Sequence, residues 1–158
     1  MADRAPDERA TIWFYGVADE YGFMSNFAPA SVRLKGQSWR TTEHYFQAQK
    51  FAGTAEERAV RDAKTPLIAA RMGRDRGRPL RRDWEAVKVS VMREAVLAKF
   101  TQHDDLRRKL LATGDARLVE HTDNDDFWGD GGDGSGENML GRILMEVRAT
   151  LRAREPGG

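Results

Sequence analysis

The chain has 158 residues, 40% of them hydrophobic and 32% charged, which suits one folded domain that buries a core without covalent staples. It contains no cysteine, which excludes a disulfide framework, a thiolate metal site and a cysteine nucleophile, and fits a reducing compartment. The formal net charge of +1 indicates no particular class of partner.

Charge is concentrated in two segments of the chain. Residues 71–82 hold six arginines and one acid, whereas residues 120–137 hold seven acids and no lysine or arginine. The arginine-rich segment is suited to contact phosphate. The acidic segment would either repel phosphate or carry acid–base chemistry.

No segment indicates export or membrane insertion. Residues 1–10 are charged where a secretory signal needs an apolar stretch, and no apolar run approaches the roughly 20 residues that span a bilayer. We therefore expect a cytoplasmic protein with one domain over residues 11–153. A disordered tail is expected at 1–10 and a short tail at 154–158.

Three short strands are predicted. Residues 11–17 are rich in β-branched and aromatic side chains, residues 31–34 form a second run before a turn at Lys35-Gly36, and residues 118–119 add a third. Residues 22–29 combine aromatics with glycine, asparagine and proline, which is typical of an ordered loop.

Helices account for most of the remaining chain. Thr42 is placed to cap the first helix, Thr54 and Glu57 form a capping box, and Pro66 suits a first helical turn. Asp83 is placed to cap a long amphipathic helix. The predicted helices span residues 42–52, 54–63, 65–73, 84–100, 104–111 and 137–153.

The segment 39–51 is the most informative for function. On a helix, Glu43, Phe46 or Gln47, and Lys50 share one face, and about 10 Å of helix rise separates the first from the last. The helix thus presents a stripe of polar groups beside aromatic side chains. The alternative is an exposed helix face that carries a charge pair.

A glycine-rich loop follows the acidic residues. Five glycines fall within residues 129–136, which lets the backbone turn sharply or approach a ligand closely. The G-x-G-x-x-G spacing matches a dinucleotide fingerprint, but no convincing strand precedes it and its acids would repel pyrophosphate. EF-hand calcium spacing is absent. The alternative is a flexible acidic connector.

Residues 78–84 could recognise a phosphorylated ligand. Arg78 and its neighbours suit bidentate phosphate contacts, and Trp84 could stack on a flat ring. The alternative is a solvated loop whose tryptophan anchors the next helix. The three histidines, at positions 44, 103 and 121, lack metal-ligand spacing, so neither a metal nor another cofactor is expected.

Together, these motifs resemble the YbiA-like, or NADAR, family. They occur in family order from about residue 12 to residue 152, so the resemblance covers nearly the whole chain. The residues that carry it are Phe14-Tyr-Gly16, Phe23-Met-Ser-Asn-Phe27, Trp39, Thr42 to Phe51, Asp83-Trp84, Met92, Lys99-Phe100, Asp125-x-x-Trp-Gly129 and Asn138-x-Leu-Gly141.

The resemblance implies an α+β fold, with a single compact, helix-rich domain and a small β-sheet, and it implies N-glycosidase activity. Two substrate classes are implied. One is the ribosylamine phosphate intermediates of riboflavin synthesis, whose cleavage removes reactive compounds. The other is ADP-ribose attached to guanine, in a nucleoside or DNA, whose removal would counter a toxin transferase and involve nucleic-acid contact.

By motif position, the catalytic residues of the family fall on Glu43, Trp84 and Asp125, and Lys50 matches a motif lysine. Asp123 and Asp126 are neighbouring alternatives for the aspartate. The residues expected to contact substrate are Ser25, Asn26, Phe27, Tyr45, Arg78, Trp128, Gly129 and Asn138.

The chemistry supports these roles independently. Cleavage of an N-ribosyl bond builds positive charge on the sugar, which carboxylates stabilise, and one carboxyl can activate water or protonate the leaving nitrogen. Lys50 offers a second route, because its amine could attack C1 of a ring-opened ribosylamine to form a Schiff base. Both routes remain open, and we expect Glu43, Lys50, Trp84 and Asp125 to converge on one cleft.

A rival hypothesis is a module that binds ADP-ribose or modified nucleic acid without cleaving it. Such a module would need the aromatic residues and the arginines, but neither Glu43 nor Asp125. Turnover of a ribosylated substrate distinguishes the two.

Overall fold

The computed structural model describes residues 10–155. The predicted N-terminal tail, apart from residue 10, and the last three residues of the predicted C-terminal tail lie outside this range. The chain divides into two units. We call residues 26–103 the central unit, and residues 10–25 together with 104–155 the terminal unit.

The central unit begins with an antiparallel hairpin of β2 (Val32–Leu34) and β3 (Gln37–Trp39). Val32 pairs with Trp39, and the predicted turn at Lys35-Gly36 joins the strands with positive φ angles of 55° and 71°. Strand β3 was not predicted from the sequence.

Four helices complete the central unit: α1 (Thr42–Gln49), α2 (Ala55–Arg61), α3 (Pro66–Gly73) and α4 (Trp84–Gln102). Helix α1 packs against the other three. The core of this unit consists of Val32, Trp39, Tyr45, Ala48, Phe51, Val60, Ala63, Ala69, Ala95 and Ala98.

Two of the predicted helix caps are wrong. Thr41 caps α1, because its hydroxyl accepts a hydrogen bond from the His44 amide at 3.1 Å. The hydroxyl of Thr42 donates instead to Asn26 Oδ1 at 2.8 Å. Asp83 precedes α4 without a capping hydrogen bond, because its carboxylate pairs with Arg81 at 2.6 Å.

The predicted start of α3 is confirmed in full, and that of α2 is confirmed in part. Thr65 caps α3 by accepting from the Ile68 amide, with Pro66 in the first turn as predicted. Thr54 caps α2. The capping box does not close as predicted, because Glu57 accepts from the amide of Gly53 rather than from that of Thr54.

The terminal unit contains β1 (Thr11–Phe14) and β4 (Arg117–Glu120), which pair in parallel, and a 3-10 turn at Gly22–Met24. It also contains helices α5 (Asp104–Ala112) and α6 (Met139–Arg154). Helix α6 packs on β4 through a buried apolar stripe formed by Leu140, Ile143, Leu144, Val147 and Leu151.

Strand β1 is shorter than the predicted 11–17, because the chain turns after Phe14 through a hydrogen bond from the Asp19 amide to the Gly16 carbonyl. Within residues 10–155 the helices outweigh two small sheets, which confirms the α+β, helix-rich class. Every helix in that range is too short or too polar to cross a membrane.

Candidate active site

Helix α1 is buried along its entire length, although five of its eight side chains are polar or charged. Glu43 is only 7% exposed. The alternative of an exposed helix face with a charge pair is therefore wrong. Because buried polar groups destabilise a fold unless they are hydrogen-bonded, each of these side chains is expected to have a hydrogen-bond partner.

The N-terminus of α1 is fixed by Asn26. Its backbone carbonyl accepts from the Glu43 amide at 3.2 Å, and its side chain accepts from Thr42 at 2.8 Å. Its amide nitrogen lies 3.3 Å from the sulfur of Met92. Asn26 thus sets the position of the turn that carries Glu43.

His44 holds the same turn from the other side and is fully buried. Thr41 Oγ1 lies 2.8 Å from Nδ1, and Nε2 donates to the Ala63 carbonyl at 2.9 Å. Burial lowers the pKa of His44, the hydrogen bond to Ala63 raises it, and the charge of Arg40 lowers it further, so the pKa is below its usual value. A neutral imidazole therefore anchors the helix.

Glu43 and Lys50 lie on one face of α1, as predicted. The carboxylate of Glu43 accepts from Gln47 Nε2 at 2.8 Å. At the end of the helix, Lys50 Nζ donates to the Gly73 carbonyl at 3.2 Å.

Two aromatic rings enclose the lysine amine. Lys50 Nζ lies 5.9 Å from the ring centre of Phe46 and 5.8 Å from that of Trp84, within the range of a cation–π contact. The two rings meet each other edge to face at 5.1 Å. Trp84, the first residue of α4, is buried and closes this side of the cluster.

The pKa of Lys50 is below its usual value. Burial is the main cause, and the positive charges of Arg74 and Lys88 lower the pKa further. The carboxylates of Glu43 and Glu85 raise it in opposition. The amine therefore releases its proton more readily than an exposed lysine, while a nearby carboxylate stabilises its charged form.

The predicted phosphate-binding arginines differ in their availability. Arg78 is paired with Glu56 and lies 3.2 Å from Asp75, and Arg81 is held by Asp83. Arg74 acts electrostatically on Lys50. Arg81 also donates its backbone amide to the Lys50 carbonyl at 2.9 Å, so Arg74 contributes to the cluster through its charge and Arg81 through the backbone.

Tyr45 points away from this cluster into the core. Its ring meets Trp39 edge to face at 5.0 Å, and its hydroxyl donates to the carboxylate of Glu94. Burial and that hydrogen bond raise the pKa of the phenol. The predicted contact of Tyr45 with substrate stays a prediction.

In the terminal unit, Asp125 organises the acidic loop. Its Oδ1 accepts from the backbone amides of Phe127 at 2.9 Å and Trp128 at 2.8 Å. The ring of Trp128 packs edge to face on Phe127 at 4.8 Å. Asp125 and Trp128 are thus held together in one tight turn.

Asn138 and Gly129 join this loop to β4 and α6. The Asn138 side chain accepts from the Glu120 amide at 3.0 Å and donates to the Leu118 carbonyl at 2.9 Å. The buried Gly129 accepts from the Asn138 amide at 2.9 Å. These bonds give both residues a clear structural role, and their contact with substrate stays a prediction.

Two further predicted substrate contacts come from the segment before α1. The buried Ser25 belongs to the terminal unit, where its amide donates to the Gly22 carbonyl at 3.0 Å. Phe27 is half-buried in the central unit.

The sequence did not single out the pair of Asp130 and His121. The Asp130 carboxylate accepts from the Thr122 amide at 3.0 Å, from the Gly132 amide at 2.9 Å and from His121 Nδ1 at 2.7 Å. Asp130 is only 4% exposed, so these hydrogen bonds close part of the loop around a buried carboxylate, whereas Asp123, Asp126 and Asp133 are exposed.

The NADAR domain model matches residues 13–152. The chain belongs to the NADAR family. Among its relatives, N-glycosidase YbiA of Escherichia coli is 55% identical over 138 residues, which cover 87% of this chain and 86% of that protein. The NMR structure of E. coli YbiA matches with a TM-score of 0.87 at 51% identity, covering 95% of this chain and 89% of that one.

A longer relative shares the NADAR region. Riboflavin biosynthesis protein VVA0006 of Vibrio vulnificus is 46% identical over 145 residues, which cover 92% of this chain and 40% of that protein. The family inferred from the motifs is thus confirmed. The predicted class of enzyme, a hydrolase of N-glycosyl bonds, is confirmed with it.

Within this NADAR chain, the structure brings together Glu43, Lys50 and Trp84 in the central unit. Asp125 and Trp128 are brought together in the terminal unit. Gln47, which lies between Glu43 and the end of α3, appeared in the sequence only as a neighbour on the helix face. The sequence feature that could have identified Gln47 is its spacing of four residues from Glu43, which places the two side chains in contact on a helix.

Proposed function

We propose that this NADAR enzyme hydrolyses the N-ribosyl bond of a small ribosylamine phosphate of the kind formed in riboflavin synthesis. The observation that carries the proposal is the buried carboxylate of Glu43 on the same helix face as the Lys50 amine, beside the ring of Trp84. The name of the Vibrio vulnificus relative supports the substrate class. The cysteine-free composition fits action in the cytoplasm.

Glu43 is our candidate for proton transfer. When the C1–N bond breaks, its electron pair moves to the nitrogen, which must gain a proton, and the sugar carbon must gain a hydroxyl from water. A carboxyl group beside the scissile bond can donate the first proton and later accept one from water. Asp125 is our candidate for the second carboxylate, which would stabilise positive charge on the sugar.

Lys50 has a different role in each of two possible routes. In the first, water attacks C1 directly and the lysine acts only through its charge. In the second, the neutral amine adds to C1 of the ring-opened sugar and expels the substrate amine, and water then hydrolyses the lysine imine. The lowered pKa of Lys50 supports the second route, because it increases the fraction of neutral amine.

Substrate release assays test the proposed function. Purified protein is incubated separately with a ribosylamine phosphate, with ADP-ribosylated guanosine and with ADP-ribosylated DNA, and the released amine or base is quantified. Release from the ribosylamine alone supports the proposal. Preferential release from either guanine substrate would show that the substrate is ADP-ribosylated guanine and not a ribosylamine phosphate. Binding of all three substrates without release would favour the non-catalytic module.

Borohydride trapping tests the route. With a Schiff base, reduction during turnover leaves a sugar adduct on Lys50, and Lys50→Ala abolishes both the adduct and the activity. With direct attack by water, no adduct forms and Lys50→Ala retains partial activity.

A further inference from the structure

Gln47 occupies an unusual position for a buried polar side chain. It is 5% exposed and stands between Glu43 and the last residue of α3. Its Nε2 donates to Glu43 Oε2 at 2.8 Å. Its Oε1 is buried and has no hydrogen-bond partner among residues 10–155.

Gly73 provides the space for this side chain. A Cβ atom built on Gly73 would lie 1.8 Å from Gln47 Oε1 and 2.6 Å from Gln47 Cδ, so no other residue fits without displacing Gln47. Gly73 does not have a positive φ, so backbone conformation does not explain why a glycine stands here. Its carbonyl also accepts from Lys50 Nζ, so one glycine borders both polar side chains.

The unpartnered oxygen indicates that stability does not account for this arrangement. A buried acceptor without a partner is destabilising, whereas an apolar side chain of similar size fills the same space without that cost. Methionine matches glutamine in length, so replacing Gln47 with methionine would fill the same space and remove only the hydrogen bond to Glu43. What the glutamine provides is therefore the amide donor at the Glu43 carboxylate.

We propose that Gln47 is the positioning residue for Glu43, and that Gly73 is a glycine because Gln47 must lie against it. The inference rests on the proposed role of Glu43 in proton transfer. The amide fixes one carboxylate oxygen, so the other is aimed in a defined direction. Because a hydrogen bond to the charged form of an acid favours that form, Gln47 also favours the ionised carboxylate.

The first test is Gln47→Met, measured by kcat, by the pH dependence of kcat and by thermal unfolding. We expect kcat to fall about 10- to 100-fold, as for a modest misplacement of a reacting group. The limb of the pH profile that reports ionisation of Glu43 should move to higher pH, because the amide no longer stabilises the carboxylate, while Tm stays the same or rises.

Gln49→Met is the matched control. Gln49 is a buried glutamine on the same helix, and its amide donates at 3.0 Å to the carboxylate of Glu57. Its replacement should lower Tm and leave kcat and the pH profile unchanged. An equal change in kcat and pH profile for both variants would show that Gln47 acts only through the packing of α1, and would overturn the inference.

A double-mutant cycle tests the role of Gly73. Gly73→Ala alone should lower kcat at least as much as Gln47→Met, because the new methyl group displaces the amide. In a Gln47→Ala background the remaining contact is between two Cβ atoms 3.0 Å apart, which a small shift relieves. Gly73→Ala should then lower kcat by less than about threefold further.

Glu43→Gln separates failure of this inference from failure of the proposed function. If Glu43→Gln loses activity while Gln47→Met and Gly73→Ala keep wild-type kcat and pH profiles, the positioning role is refuted and the role of Glu43 stands. If Glu43→Gln turns over normally, Glu43 has no catalytic role and the positioning inference fails with it.

Discussion

Replacing Glu43 with glutamine changes a single heavy atom and removes the capacity of the side chain to transfer a proton. The new amide oxygen can still accept from Gln47 Nε2, so the contact now measured at 2.8 Å survives in neutral form. Hydrogen bonds to charged groups contribute about 1.5–3 kcal/mol and neutral ones about 0.5–1.5 kcal/mol. We therefore expect a loss of about 1–1.5 kcal/mol in the free energy of unfolding, or a fall of roughly 2–6 °C in Tm.

The expected effect on catalysis is much larger. General acid–base catalysis contributes about 10²–10⁴-fold, so kcat should fall by that factor, which corresponds to about 2.7–5.5 kcal/mol of activation free energy. Since this exceeds the expected loss of stability, unfolding cannot account for the lost activity. The assay is release of the amine from a ribosylamine phosphate under saturating substrate, with thermal unfolding recorded on the same sample.

Glu57→Gln is the control for loss of a carboxylate from the central unit. Glu57 accepts from Lys35 and Gln49, so its replacement should lower Tm without lowering kcat. A Glu43→Gln enzyme with wild-type kcat would refute the reasoning and transfer the acid–base role to Asp125 or a neighbouring aspartate.

Three further predictions concern binding and pH. Arg74→Gln should raise KM more than it lowers kcat, because contacts with substrate phosphate are similar in ground and transition states; Arg78→Gln, which breaks existing ion pairs, should leave KM unchanged in the same assay. The pKa of His44 is lower in the folded protein than its unfolded value of 6.5, so the free energy of unfolding should decrease as pH falls below that value. Urea unfolding at several pH values should show a shallower decrease for His44→Gln, and equal slopes would contradict the buried neutral imidazole. Burial lowers the pKa of Lys99 from 10.5 to about 7, so stability should increase between pH 7 and 10, and Lys99→Met should be more stable at neutral pH and lack that increase.

Capping residues and the spacing of apolar residues predicted most helices, but not every helix or strand boundary. Strand β3 has only three residues, two of them exposed, so no alternating pattern marks it. It exists because the Lys35-Gly36 turn folds it back onto β2. Thr42 was the predicted cap, but its hydroxyl donates to Asn26, and the preceding Thr41 caps the helix instead.

The helical spacing of Glu43, Gln47 and Lys50 predicted their shared face, but not its burial. A polar stripe on a helix usually faces water. Here three neighbouring helices cover α1, and nothing in the sequence of α1 itself reveals them. Gly73 was correctly predicted to end a helix, whereas the close approach of Gln47 depends on tertiary packing.

Ion pairs between residues far apart in sequence likewise explain why the role of the arginine-rich segment 71–82 could not be predicted from its composition. The sequence indicated only that this arginine-rich segment is suited to contact phosphate. Arg78 instead finds Glu56, which lies 22 residues earlier in the chain. Such ion pairs depend on how α2 and the segment after α3 meet, which charge composition alone does not specify.

The complete burial of α1 has a consequence for how long its geometry persists. Amide protons exchange with solvent through local opening when a segment has exposed hydrogen bonds, and through global unfolding when it does not. Because α1 is covered by three helices, its amides should exchange only when the central unit unfolds. The backbone that carries Glu43 and Gln47 would then keep its helical geometry for the lifetime of that folded unit, so a substitution that slows unfolding anywhere in it would also prolong that geometry.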